Sequence, residues 1–154
     1  MKYIKLFEEI DFDDWEWEEE DPKPSIIYKV GSIVPITHFI GKTFTEINND
    51  EYIVSFKTND GEVYEMDHEQ DCSEDVRVDD IVGDLDDLIG SPILKASEDT
   101  NRDTQKDYKD DDYGDESFTW TFYNLATIKG YVTIRWYGSS NGYYSESVDI
   151  IRIK

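Results

Sequence analysis

Apolar residues recur with a period of two along much of the chain. Tyr52, Val54 and Phe56 alternate with Ile53, Ser55 and Lys57, and Tyr131, Thr133, Arg135 and Tyr137 alternate with Val132, Ile134 and Trp136. A two-residue period sends successive side chains to opposite faces, so both stretches predict half-buried strands. Phe118, Trp120 and Phe122 alternate in the same way with Thr119, Thr121 and Tyr123. Asn59-Asp60-Gly61 separates EYIVSFKT from EVYEM and predicts a hairpin, because Asp-Gly supplies the positive φ angles of a tight turn. Lys129-Gly130 and Gly138–Gly142 mark further turns, so residues 117–153 predict a three-stranded meander whose last strand runs from Tyr143 to Ile153. SIIYKV at 25–30, residues 39–47 and residues 93–97 add β-rich segments. Helical spacing is confined to Ile4, Leu6, Phe7 and Ile10, and to Leu85, Leu88 and Ile89, which Gly83 and Gly90 bracket and Asp84 caps. About eight strands with closely spaced turns predict a mainly β fold, a β-sandwich or partly open barrel with one or two short helical turns.

Charge divides this pattern. The 154 residues carry 37 acidic and 15 basic side chains, a formal charge of −22. Residues 8–22 hold ten acids and no base, interrupted by Phe12, Trp15 and Trp17. Pro22 and Pro24 close that run, so residues 1–24 read as an acidic N-terminal segment and 25–154 as one β-rich domain. Residues 98–116 hold nine acids, three bases and almost no aliphatic side chain, which predicts a long mobile acidic loop. This balance argues against direct nucleic-acid binding, which depends on Lys and Arg displacing phosphate counterions. It suits a basic protein surface of a partner. No apolar run approaches the ~20 residues of a membrane span, and the N-terminus lacks a basic-then-apolar leader, so a cytoplasmic protein is expected. One cysteine makes no internal disulfide. The sequence sets no oligomeric state.

Three groups of residues invite chemistry. His68, Gln70, Asp71, Cys72 and Glu74 combine a thiol, an imidazole and carboxylates, the materials of a Cys/His hydrolase or a metal site. Asp67, Glu69, Asp71, Glu74 and Asp75 would hold the thiol protonated by like-charge repulsion, which disfavours a nucleophilic cysteine. Zinc wants four Cys or His ligands, and the chain has three such residues, His38, His68 and Cys72. A divalent cation on Asp71, Asp84, Asp86 and Asp87 is the easier case, and no other cofactor is expected. Arg135, Trp136, Tyr143 and Tyr144 flank a turn and form a candidate stacking site for a nucleotide or other small molecule. The acids and aromatics Asp14, Trp15, Trp17, Glu19, Asp84, Asp86, Asp87, Asp111 and Asp112 form the candidate surface for a basic partner.

HEQDCSEDVRVDDIVGDLDDLIGSPIL, followed after an acidic spacer by TWTFYNLATIKGYVTIRWYGSSNGYYSESVDI, closely resembles an uncharacterised domain family of tailed-bacteriophage and some bacterial proteins. The resemblance runs from Gly41 to Asp149. It implies a pair of cysteines where this chain has Cys72-Ser73, which weakens a metal or redox role for that position. MKYIKLFEE with its acidic run also looks like the leader of accessory proteins in large phages. The family brings no assigned activity. The expectation is therefore a phage-type acidic accessory protein that binds a basic, nucleic-acid-binding surface of a host or phage protein, as a DNA mimic serving counter-defence or host takeover. A nucleotide-sequestering protein is the alternative, and a metal-dependent or Cys/His hydrolase the second.

Overall fold

A computed structural model describes residues 31–103 and 117–154. Among them nine strands form: β1 (Ser32–Ile33), β2 (Phe44–Asn49), β3 (Ile53–Thr58), β4 (Val63–Asp67), β5 (Glu74–Val82), β6 (Lys95–Asp103), β7 (Ser117–Ala126), β8 (Tyr131–Ser140) and β9 (Asp149–Arg152). Two antiparallel sheets result. One has the order β1-β9-β4-β3-β2, the other β5-β8-β7-β6, and neither closes into a barrel.

The period-two pattern explains how the sheets seal against each other. Val54 and Phe56 on β3, Tyr64 and Met66 on β4 and Ile150 on β9 face Val76 on β5, Tyr123 and Leu125 on β7, and Val132, Ile134 and Trp136 on β8. Trp136 is 1% exposed, and its indole Nε1 donates to the Met66 sulfur across the interface at 3.1 Å. A 3-10 turn at Ile36–Phe39 adds Phe39, whose ring lies 5.0 Å from Phe44, 5.1 Å from Phe56 and 5.1 Å from Tyr64. Centroid separations of this size fall in the favourable range for aromatic pairs. The mainly β, sandwich-like expectation therefore holds.

The hairpin at Asn59-Asp60-Gly61 joins β3 to β4, with Gly61 at φ 87°. Asp84 caps the 3-10 turn at Leu85–Leu88 by accepting from the Asp86 N–H at 2.9 Å. Gly83 and Gly90 take positive φ on either side, as their bracketing positions suggest.

Four expectations need correction. Phe39 belongs to a 3-10 turn, because Pro35 starts it and its carbonyl accepts from His38 N–H at 2.9 Å; strand β2 begins only at Phe44. Residues 98–103, expected in a loop, continue β6, because each pairs with β7 along an unbroken register from Lys95↔Ala126 to Asp103↔Phe118. Glu74–Val82, absent from the strands the pattern predicts, is a nine-residue strand paired with β8. Tyr143–Ile153 is not the third strand of a meander. After Ser140, residues 141–148, with Gly142 at φ 85°, form a strap that carries the chain into the other sheet, where β9 pairs with β4 and β1. Residues 1–24, SIIYKV and residues 104–116 lie outside the described residues, and with them Asp14, Trp15, Trp17, Glu19, Asp111 and Asp112.

Trp136 and Trp120 sit on opposite faces of the same sheet, Trp136 in the core and Trp120 half-buried outside. Replacing Trp136 by Ala is expected to cost ~3–5 kcal/mol in urea unfolding, the usual cost for a fully buried large side chain. Trp120→Ala should cost clearly less. Equal losses would place Trp136 outside the core.

Candidate functional site

Several of the described acids flank β5, an edge strand. At its start, the loop from β4 and the strap enclose a hollow of about 450 Å³ lined by His68, Glu69, Gln70, Asp71, Glu74, Tyr144 and Ser145. Further along, Asn49, Asp50 and Glu51 of the β2–β3 turn face Val78, Asp79, Asp80 and Ile81 across a second hollow of about 530 Å³. Six residues of strand separate Glu74 from Asp80, which places the hollows roughly 20 Å apart on one edge.

Local structure explains both. In the first, Gln70 pairs with the Val76 backbone, donating from Nε2 to its carbonyl at 2.6 Å and accepting from its N–H at 3.3 Å, so the side chain closes the loop onto the strand. Glu74 Oε1 accepts from the Asp71 N–H at 2.6 Å and lies 2.8 Å from His68 Nε2. The side chains of His68 and Glu74 are 7% and 2% exposed. In the second, Asp50 Oδ1 accepts from the N–H groups of Tyr52 and Ile53, both at 2.8 Å, and the Glu51 carbonyl accepts from the Val78 N–H at 2.8 Å. The ladder shifts between Val78 and Asp80, leaving Asp79 as an extra residue. Such a bulge re-aims the side chains beside it, and here Asp79 and Asp80 meet Arg135.

The sequence candidates separate in space. Cys72 is exposed, and its sulfur lies 3.5 Å from the Tyr144 hydroxyl. His68 instead spends both ring nitrogens on Glu74 and on the Ser147 carbonyl, so no Cys–His pair is built. The contact with Cys72, helped by the carboxylates of Asp71 and Glu74, holds the Tyr144 phenol above its ordinary range. Among the described residues no three His, Cys, Asp or Glu side chains gather in a metal-binding arrangement, and Asp84, Asp86 and Asp87 belong to the capped turn. Arg135 and Trp136, as neighbours on β8, point to opposite faces. Trp136 is core, while Arg135 donates from Nε to Asp79 at 2.7 Å and stacks over Trp120 at 5.4 Å. Tyr143, 87% exposed, touches Tyr144 edge-on at the far side of the turn. The four residues do not form one stacking platform.

Two features have no local sequence signal, because each is completed by residues from distant elements. Glu146 is 8% exposed and accepts from the hydroxyls of Thr119 and, at 2.7 Å, Ser140. The second is a polar network at the β4–β9 end. Glu62 accepts from Lys42, from the Tyr64 hydroxyl at 2.8 Å and from Arg152 at 2.6 Å. Because the Tyr64 hydroxyl donates to Glu62, it accepts from His38 Nε2 at 3.0 Å. The Lys42 ammonium and then the Tyr64 hydroxyl hold the Glu62 carboxyl below its ordinary value, and Glu62 in turn raises Lys42. Burial, followed by Glu62, pushes the Tyr64 phenol up.

The family model for a domain of unknown function, DUF7448, matches residues 37–150, nearly the whole described sandwich. The chain belongs to the DUF7448 family. The match begins in the first 3-10 turn and ends in β9, so the DUF7448 domain contains both hollows and the strap. No curated protein and no solved structure matches the chain. No helix among the described residues is long and apolar enough to cross a membrane.

The Glu62 network yields a pH signature. A depressed carboxyl contributes stability that is present above its ordinary value of 4.5 and disappears as pH falls through the lower folded value. Glu62→Gln should therefore lower the urea midpoint at neutral pH, with a gap to wild type that narrows below pH 4.5. A gap that stays constant down to acid would show that the carboxylate charge contributes nothing.

Proposed function

We propose that this DUF7448 domain acts by binding, presenting the β5 edge to a basic protein surface. One observation carries this reading: seven carboxylates, Glu69, Asp71 and Glu74 in one hollow and Asp50, Glu51, Asp79 and Asp80 in the other, flank a single edge strand. The basic side chains near them are already engaged. Arg77 holds Asp75 and Arg135 holds Asp79, while Lys42 and Arg152 hold Glu62 at another end. With Glu74 turned to His68 and Asp79 to Arg135, the exposed charge is that of Asp50, Glu51, Glu69, Asp71 and Asp80, which steers a basic partner during encounter. Tyr144 gives the first hollow an aromatic wall, a suitable lining for a lysine or arginine side chain.

The finer form of the proposal follows from the resemblance and the charge together. The partner surface is one that otherwise holds nucleic acid, the cytoplasm is the compartment, and the setting is a phage accessory protein acting as a DNA mimic against host defence. Asp84, Asp86 and Asp87 extend the acidic surface beyond β5. The nucleotide-binding alternative loses its platform, since Trp136 is core. The hydrolase alternative loses its Cys–His pair.

A lysine-rich peptide, titrated into the full chain and followed by amide chemical shifts, tests the docking edge. The largest shifts should fall on residues 49–51, 69–74 and 78–81, with affinity dropping about tenfold or more as salt rises from roughly 0.05 to 0.3 M. Asp79→Asn with Asp80→Asn should weaken binding without changing the fold. Affinity indifferent to salt, or shifts confined to other surfaces, would overturn the proposal.

A further inference from the structure

His68 follows the last residue of β4 and touches both β5 and the strap. Its Nδ1 lies 2.6 Å from the Ser147 carbonyl oxygen and its Nε2 lies 2.8 Å from Glu74 Oε1. Both partners are acceptors. A neutral imidazole has one N–H and one lone pair, so it satisfies only one of them; the imidazolium satisfies both. The His68 and Glu74 side chains are buried, whereas Ser147 is exposed, so a neutral ring turns a lone pair on one acceptor and water takes over the Ser147 carbonyl more readily than the buried carboxylate.

We propose that His68 is a proton-operated latch on the 141–148 strap. As imidazolium it ties Ser147 to Glu74 and keeps the strap closed against the first acidic hollow. When the proton leaves, one contact must go. The remaining N–H stays with the Glu74 carboxylate, since a charge-assisted hydrogen bond is stronger than one to a neutral carbonyl. The strap loses its hold at Ser147, and the wall formed by Tyr144 and Ser145 moves outward.

Titratable side chains reach His68 from every element packed around it. Asp67 ends β4, Glu69 and Asp71 lie in the loop, Glu74 begins β5, Glu146 lies in the strap and Asp149 starts β9 opposite Asp67. Cys72, Tyr143 and Tyr144 are the remaining titratable side chains of the described loop and strap, and Arg77 of β5 is engaged by Asp75. The strap keeps two anchors that do not depend on His68: the Glu146 contacts with Thr119 and Ser140, and the Tyr123 hydroxyl donating to the Val148 carbonyl at 3.1 Å. Opening is thus confined to the segment around Tyr144–Ser147. The latch concerns the wall of the hollow, so it stands or falls independently of what the hollow binds.

The test uses the wild-type full chain. Long-range ¹H–¹⁵N correlation of the imidazole, followed from about pH 5 to 8 where histidines change charge, reads which ring nitrogens carry protons. Amide exchange of residues 143–147, corrected for its intrinsic pH dependence, reads the strap. At the acid end both nitrogens should be protonated and the strap protected. As His68 deprotonates, protection should fall about fivefold to tenfold, the loss of roughly one hydrogen bond. In His68→Gln the pH dependence should vanish, while in His38→Gln it should persist. Protection that does not change as the His68 ring titrates, or a pH response that survives in His68→Gln, would overturn the latch.

Discussion

Glu146 holds the crossing between the two sheets. The chain leaves β8 in the four-stranded sheet and must enter β9 in the other, so the strap between them has to lie against the sandwich with a charged residue turned inward. A buried carboxylate is costly unless its oxygens are bonded. The hydroxyls of Thr119 and Ser140 meet that requirement from the ends of β7 and β8. Gly138 supplies the room, since a side chain there would collide with Glu146. With the strap seated, β9 reaches β4, the five-stranded sheet is completed, and Ser147 comes within reach of His68. The first hollow is a by-product of that closure, because one wall is the strap and the other is the loop that His68 and Gln70 hold in place.

The acidity follows the same architecture. A sheet edge offers unpaired backbone groups and invites association with other chains, and charged side chains are one way of protecting it. β5 is such an edge, bearing Glu74, Asp75, Asp79 and Asp80, and the β2–β3 turn covers its middle through the Glu51–Val78 hydrogen bond. Charges that keep other strands away from this edge are the same ones that attract a basic surface. The outer face of this sheet is quieter: Arg77 over Tyr137 and Arg135 over Trp120 cap its aromatic rings while paired to Asp75 and Asp79.

Local order was legible in the sequence wherever one residue type decides a geometry. The alternation through β3 and β8 shows directly which side chains enter the core, and Asn59-Asp60-Gly61 and Asp84 mark a hairpin and a cap; in β7 the buried set is Thr119, Thr121, Tyr123 and Leu125, while the more apolar Phe118, Trp120 and Phe122 lie half-buried on the outer face. β5 was hidden because EDVRVDDIV lies at an edge with a bulge, so its inward residues do not alternate cleanly. The second half of β6 was hidden because EDTNRD gains its order from cross-strand bonds to β7, which composition does not record. The candidate site was legible only in part. His68, Gln70, Asp71 and Glu74 do line one hollow, yet their partners Tyr144, Ser145 and Ser147 come from seventy or more residues away. The Glu62 network and Glu146 likewise need partners from other elements, Lys42 and Arg152 for Glu62 and Thr119 for Glu146.

Strand topology is the premise on which both hollows and the strap rest, and amide-to-amide nuclear Overhauser contacts measure it directly. Contacts between β4 and β9 in the register Met66↔Ile150, together with contacts between β5 and β8 in the register Val76↔Gly138, are the expected result. Contacts pairing residues 149–152 with β8 as a simple hairpin would contradict it, and with it the placement of the acidic edge.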